Sequence, residues 1–179
     1  MPVRPRVVVA RTLGFAVLLL VRPTPVSLLS AAPLALIGEG LRIWSAGHID
    51  KRRALATGGP YAHTRNPLYF GSLLLIVGAV VASASPWVAA VAAAYVTYFY
   101  PKVLREEAQF LAGKFGDDYT EWAAEVPLFV PRLTPAGPRA SEFSWARVRA
   151  NREWEAALVV PGAAALLLGV YWLRRFIAS

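Results

Sequence analysis

A chain of 179 residues that is 56% hydrophobic and 17% charged, with a mean hydropathy of +0.45, is too apolar for an ordinary soluble domain and points to lipid as its solvent. The absence of cysteine excludes disulfides, thiolate metal sites, iron–sulfur clusters and a cysteine nucleophile, and His48 and His63 alone do not make a histidine-rich metal centre, so no metal site is expected. The net charge of +8 falls in loops between apolar runs, where it orients the chain in a membrane and does not call for nucleic acid.

Crossing a hydrocarbon core takes roughly 20 apolar residues at helical rise. Five runs in the sequence are candidates. The first, residues 7–21, is short and carries Arg11; it is read as a membrane helix and not a removable signal peptide, because no small-residue cleavage pattern follows Val21. Pro23 and Pro25 break the chain before a second run over 26–44, which is interrupted late by Glu39 and Arg42. Residues 66–101 contain no charge and divide at Ser83-Ala84-Ser85-Pro86, where Ser85 can cap a helix that Pro86 opens, giving an antiparallel hairpin of two spans. The last run covers 156–173 and tolerates Pro161 and Gly162 in lipid.

The expected fold is therefore all-α: a polytopic integral membrane protein, one domain over 1–179, with about five transmembrane helices and a cytoplasmic helical segment. Lysine and arginine gather on one side, at Arg4, Arg6 and Arg11, at Lys51, Arg52, Arg53 and Arg65, and over 102–152, which predicts a cytoplasmic amino terminus. Arg174 and Arg175 sit against this rule, a conflict that an interfacial final helix relieves. Segment 141–155, with Trp145, Arg147, Arg149 and Arg152, reads as a basic amphipathic helix on the inner leaflet.

Two polar clusters stand out at the cytoplasmic ends of the runs. The first is Thr57-Gly-Gly-Pro-Tyr-Ala-His-Thr-Arg-Asn-Pro-Leu-Tyr-Phe-Gly71, where glycines allow a tight backbone path and a helix amino terminus at Pro67 beside Arg65 and Asn66 suits an anion or polar cofactor. Its single residues are also explained by snorkelling at the membrane surface. The second follows the fourth run, where Glu106 and Glu107 diverge by about 100° on a helix, so that one of them faces the bundle. A carboxylate at that depth calls for a cationic partner, from the protein or a ligand.

Together the clusters resemble a family of integral membrane methyltransferases that includes isoprenylcysteine carboxyl methyltransferase and the phospholipid N-methyltransferases. The resemblance rests on Gly59-Pro-Tyr-Ala-His-Thr-Arg-Asn-Pro-Leu-Tyr-Phe-Gly71 and on Glu106-Glu107 followed by Phe115-Gly116-Asp-Asp-Tyr119, Trp122 and the 126–131 segment, with Asn66 standing where histidine is usual and Trp122 where tyrosine is frequent. It implies that Tyr61, His63, Asn66, Tyr69, Gly71 and Tyr119 build a pocket for S-adenosyl-L-methionine, with Glu106 or Glu107 on the cofactor's amino group. It makes Arg65 the catalytic candidate, holding an acceptor carboxylate. Arg42, Asn151 and Glu153 are candidate substrate-binding residues at the membrane edge, although Glu39 and Arg42 equally suit a structural ion pair.

The expected reaction is methyl transfer to a lipophilic small molecule or lipid at the cytoplasmic membrane face. With His63 the one evident general base, O- or S-methylation is favoured over N-methylation of a phospholipid amine. A sterol-type membrane reductase using NADPH is the other enzyme reading, and a noncatalytic scaffold or transporter subunit, which needs neither polar cluster, is the third. The sequence carries no dinucleotide fingerprint, since Gly38 and Gly40 follow a lipid-like helix and lack the third glycine.

Overall fold

The computed structural model describes residues 20–50, 54–136 and 142–177, and every regular element among them is helical. Helix α1, Pro25–His48, begins at a reciprocal cap: Thr24 Oγ1 accepts from Ser27 N at 3.0 Å and Ser27 Oγ accepts from Thr24 N at 2.9 Å, with Pro25 pre-setting the first turn. Helix α2, Pro67–Ser83, and helix α3, Pro86–Phe115, form the hairpin that the Ser85-Pro86 signal predicts. The chain reverses through Ala84 in the left-handed region, and Ser85 caps α3 by accepting from Val88 N.

The main helix pair is α1 against α2, and glycine sets its spacing. A Cβ at Gly38 would lie 2.8 Å from the carbonyl oxygen of Gly71, and one at Gly71 would lie 2.8 Å from that of Gly38. Backbones this close gain dispersion contact that larger side chains would forbid, the usual solution where lipid removes the hydrophobic drive between helices. The pair is antiparallel, because Arg22 N donates to Ser83 O at 2.7 Å and Ser27 Oγ to Ala82 O at 3.1 Å, joining the start of α1 to the end of α2. In contrast, α2 and α3 meet sparsely, and near the ends that carry both clusters the Tyr69 ring stands edge-on to that of Tyr100, 6.0 Å between centroids.

Helix α3 has 30 residues, or about 45 Å at helical rise, and passes from apolar to charged composition at Pro101. Gly116, at φ 55°, ends it and lets helix α4, Asp117–Glu125, fold back. Tyr119, Trp122 and Val126 then pack with Tyr61 into a buried cluster beneath the 3₁₀ turn Gly59–Ala62. The carboxyl-terminal part adds short helices α5, Trp145–Ala150, and α6, Glu153–Ala157, and then α7, Val159–Ile177, which buries no residue.

Two helical stretches are long and apolar enough to cross a membrane, Pro25–His48 and Glu153–Ile177, while α2 is a shorter apolar helix of 17 residues. Thus two of the five expected spans meet both length and composition among the described residues. The first run lies outside them apart from its last two residues, as do Lys51, Arg52 and Arg53. Large apolar side chains are exposed along α1 (Val26, Leu29, Leu36), α3 (Trp87, Val91, Tyr98) and α7 (Leu166, Trp172, Phe176). Apolar surface on this scale is abnormal in water and normal in lipid, and the chain is a membrane protein.

Replacing Gly71 by valine is expected to wedge α1 from α2 and to destabilise the protein by about 1–3 kcal/mol, the cost of overpacking a close contact. Thermal unfolding in detergent measures it, with Gly40→Val as the control, because a Cβ there meets nothing within 4 Å.

Candidate functional site

The space at the cluster-bearing ends of α2 and α3 is a cavity of about 600 Å³, within the range of small-molecule and cofactor sites. Its walls come from the end of α1 (Arg42, Ile49, Asp50), the 54–56 loop, the first cluster (Tyr61, Arg65, Asn66, Leu68, Tyr69, Ser72) and the second (Glu107, Phe110, Leu111, Lys114, Phe115, Trp122). The two clusters singled out by sequence therefore meet, across the open end of the hairpin.

An extended strap after α4 is tied back to the first cluster. Arg65 N donates to Pro127 O at 2.9 Å, Arg132 N to His63 O at 3.0 Å, and Ala136 N to Ala62 O at 2.8 Å. Side chains of the first cluster reinforce it: Asn66 Nδ2 donates to Leu128 O at 2.9 Å, Thr64 Oγ1 donates to Phe129 O at 2.9 Å, and His63 Nδ1 lies 2.9 Å from Arg132 O. Much of the 59–71 motif is therefore spent on binding the strap's carbonyls. A histidine-to-asparagine change at position 66 keeps a donor of the right reach.

The structure brings Arg42, Tyr61, Arg65, Asn66, Tyr69 and Glu107 to the cavity, and it distinguishes the adjacent glutamates. Glu107 lines the wall, whereas Glu106 is exposed and pairs loosely with Lys102 at 4.0 Å. Tyr119 is buried just behind the wall, where its hydroxyl receives Arg65 Nη1 at 3.1 Å. Besides Glu106 and Tyr119, four more expected residues do not line the cavity. His63 is held by the strap, Gly71 is used in the α1–α2 contact, and Asn151 donates to Ala46 O at 2.9 Å and Ile49 O at 3.2 Å, closing the end of α1. Glu153 pairs with Arg42 from outside the wall. Conversely, Trp122, Lys114, Asp50 and Ser72 line the cavity without having been singled out as site residues. A signal for Trp122 was present, since it shares a face with Tyr119 three residues earlier on α4.

Burial, and then the negative charges of Glu107 and Glu153, push the Tyr61 phenol well above its usual range, so it stays a neutral hydroxyl. Three buried donors on cavity-lining residues lack hydrogen-bond partners among the described residues, Arg42 Nε, Arg65 Nε and Trp122 Nε1. Unpaired buried donors of this kind cost roughly 1–3 kcal/mol each.

An α-helical membrane protein with a largely apolar cavity, set with a few polar and charged groups, at the open end of a helical hairpin is the class these features define. The comparisons agree: residues 39–118 match the family model described as phospholipid methyltransferase. The cobalt-zinc-cadmium resistance protein CzcN of Cupriavidus metallidurans is 41% identical over 103 residues, covering 56% of this chain and 46% of that protein. The nickel-cobalt-cadmium resistance protein NccN of Alcaligenes xylosoxydans xylosoxydans is 31% identical over 143 residues, covering 76% of this chain and 67% of that protein. The matched part thus spans about half the length of the first relative and two thirds of the second. No solved structure matches the chain. The chain belongs to the phospholipid methyltransferase family.

The residues present fit the cofactor that such a family implies. S-adenosyl-L-methionine offers a carboxylate, an ammonium, a sulfonium and an adenine ring; the cavity offers the orphaned Arg65 and Trp122 donors, the Glu107 carboxylate and the Tyr61, Phe110 and Phe115 rings.

Because the folded state holds the Tyr61 phenol above its unfolded value of 10.0, the stability this group contributes is complete below that value and is lost as pH rises past it. Unfolding scans from neutral pH to strongly alkaline pH are expected to show a shallower alkaline loss in Tyr61→Phe than in the wild type.

Proposed function

We propose that the protein transfers a methyl group from S-adenosyl-L-methionine to a lipophilic acceptor, with the cavity opening on the cytoplasmic side of a multi-pass chain. The observation that carries this reading is the meeting of Glu107, the carboxylate of the second cluster that lines the cavity, with the orphaned donors Arg65 and Trp122 in one cavity. When bound, the cofactor supplies an electrophilic methyl carbon on a positively charged sulfur. The protein's share is to place the acceptor in line with that carbon and to exclude water, which is where most of the rate of such a displacement resides.

Glu107 would hold the ammonium, Tyr61, Asn66, Tyr69 and Tyr119 would shape the rest of the cofactor pocket, and the aromatic wall of Phe110 and Phe115 would take the adenine. Arg65, anchored on Tyr119, would orient an anionic group of the ligands. No listening proton acceptor is needed if the acceptor is a carboxylate or thiolate, and His63, engaged with the strap, is not at the cavity. This favours an isoprenoid-like or lipid carboxylate or thiol over a phospholipid amine as acceptor. The relatives carry names of metal resistance, yet among the described residues no group of three or more His, Cys, Asp or Glu side chains is placed to hold a metal ion, and the reading uses none.

Calorimetry with S-adenosylhomocysteine on the protein in nanodiscs tests the reading, followed by labelled-methyl incorporation into lipid extracts. Glu107→Gln is expected to weaken binding about tenfold or more, as for a lost charge-assisted contact, and Glu106→Gln to leave it unchanged. Equal effects of the two substitutions, or binding of NADPH in place of S-adenosylhomocysteine, would sink the proposal.

A further inference from the structure

Glu153 lies outside the stretch that matches the family model, yet it reaches a residue of the cavity wall. Segment 142–157 is laid against the end of α1. Ser144 N donates to Gly47 O at 2.9 Å, Asn151 closes the carbonyls of Ala46 and Ile49, and Phe143 packs where Gly47 has no side chain. Val148 is buried in the same contact. Glu153, itself buried, then pairs with Arg42 Nη2, while Arg42 Nη1 donates to Ser72 Oγ on α2. Glu39 stands one turn before Arg42 but only approaches its Nε, at 3.9 Å.

One guanidinium thus faces two carboxylates, and charge neutralisation does not require Glu153, because Glu39 alone would supply it on the same helix. What Glu153 adds is direction. It draws the guanidinium away from Glu39 and across to Ser72, so that Arg42 stands at the α1–α2 edge of the cavity with both terminal nitrogens engaged and only Nε without a partner. An arginine held at both terminal nitrogens has a fixed orientation, and that orientation sets the shape of the wall.

We infer that Glu153 is a positioning residue of the cavity: supplied by the carboxyl-terminal segment, it holds Arg42 on Ser72 and so fixes one wall of the ligand site. Without it Arg42 falls back onto Glu39, the fold survives, and the wall opens. This inference rests on the proposed function only where a cofactor product is used as the probe.

The chain has no cysteine, so a single reporter thiol at Leu68, in the cavity wall, reads the wall directly. In full-length protein in nanodiscs, Glu153→Gln is expected to speed labelling of Leu68→Cys by a small polar thiol reagent several-fold, while Glu39→Gln leaves the rate unchanged. Without the reporter, Glu153→Gln is expected to weaken S-adenosylhomocysteine binding about tenfold, the size of one directed polar contact, and Glu39→Gln to leave it near the wild-type value. Should Glu153→Gln not fold, Glu153→Asp, which keeps the charge but shortens its reach, carries the test with a smaller increase in labelling. Wild-type labelling rates in the folded Glu153 variant, or equal effects of the Glu39 and Glu153 substitutions, overturn the inference. A wild-type protein that fails to bind S-adenosylhomocysteine instead counts against the proposed function, and the labelling rates still decide the role of Glu153.

Discussion

The assembly of this protein depends on the backbone pairing between the 62–65 loop and the strap at 127–136. Helices α2 and α3 meet sparsely, and nothing in a two-helix hairpin obliges their far ends to cooperate. The hydrogen bonds from Arg65, Arg132 and Ala136 amides, with Thr64, Asn66 and His63 side chains added, return the chain after α4 to the start of α2. Because buried backbone polar groups need internal partners, these bonds are costly to leave unmade, and making them brings the chain after α4 back to the first cluster.

The same constraint explains the division of labour within the first cluster. Side chains that satisfy strap carbonyls, among them Thr64 and the Asn66 amide, are committed there, and the cavity is left with Tyr61, Arg65 and Tyr69 from the first cluster and Glu107, Lys114 and Trp122 from the second. Arg65 is the link between the two halves, since Nη1 reaches Tyr119 while Nε stays unpaired. A site built this way is stiff on its strap side and formed from residues that are partly buried before any ligand arrives, which suits a reaction governed by placement.

On the opposite side the wall depends on charge. Arg42 is held by groups from three helices, and the carboxyl-terminal segment contributes one of them from outside the family-matched residues. Charged pairs at low dielectric are weak evidence for stability but strong determinants of orientation. The glycine contact of Gly38 with Gly71 places α1 close enough to α2 for Arg42 to reach Ser72, so the membrane packing and the polar wall are one construction.

The sequence by itself determined the helical class, the lipid-like composition, the hairpin break at Ser85-Pro86 and the two polar clusters whose residues meet at the cavity. These follow from run length, capping residues and local spacing, which act over a few residues and need no tertiary partner. It narrowed Glu106 and Glu107 to one inward group but did not choose between them, because helical phase relative to a neighbour is set by packing. Only the tertiary structure decided that Glu107 faces the cavity, that His63 and Asn66 bind the strap, and that Gly71 serves a helix contact. Only it showed that Glu153 meets Arg42, since a contact between residues so far apart in the chain is created by how α1 and the carboxyl-terminal segment pack. Local signals fix which elements form; the burial of polar groups against distant carbonyls and charges fixes what each of their side chains is used for.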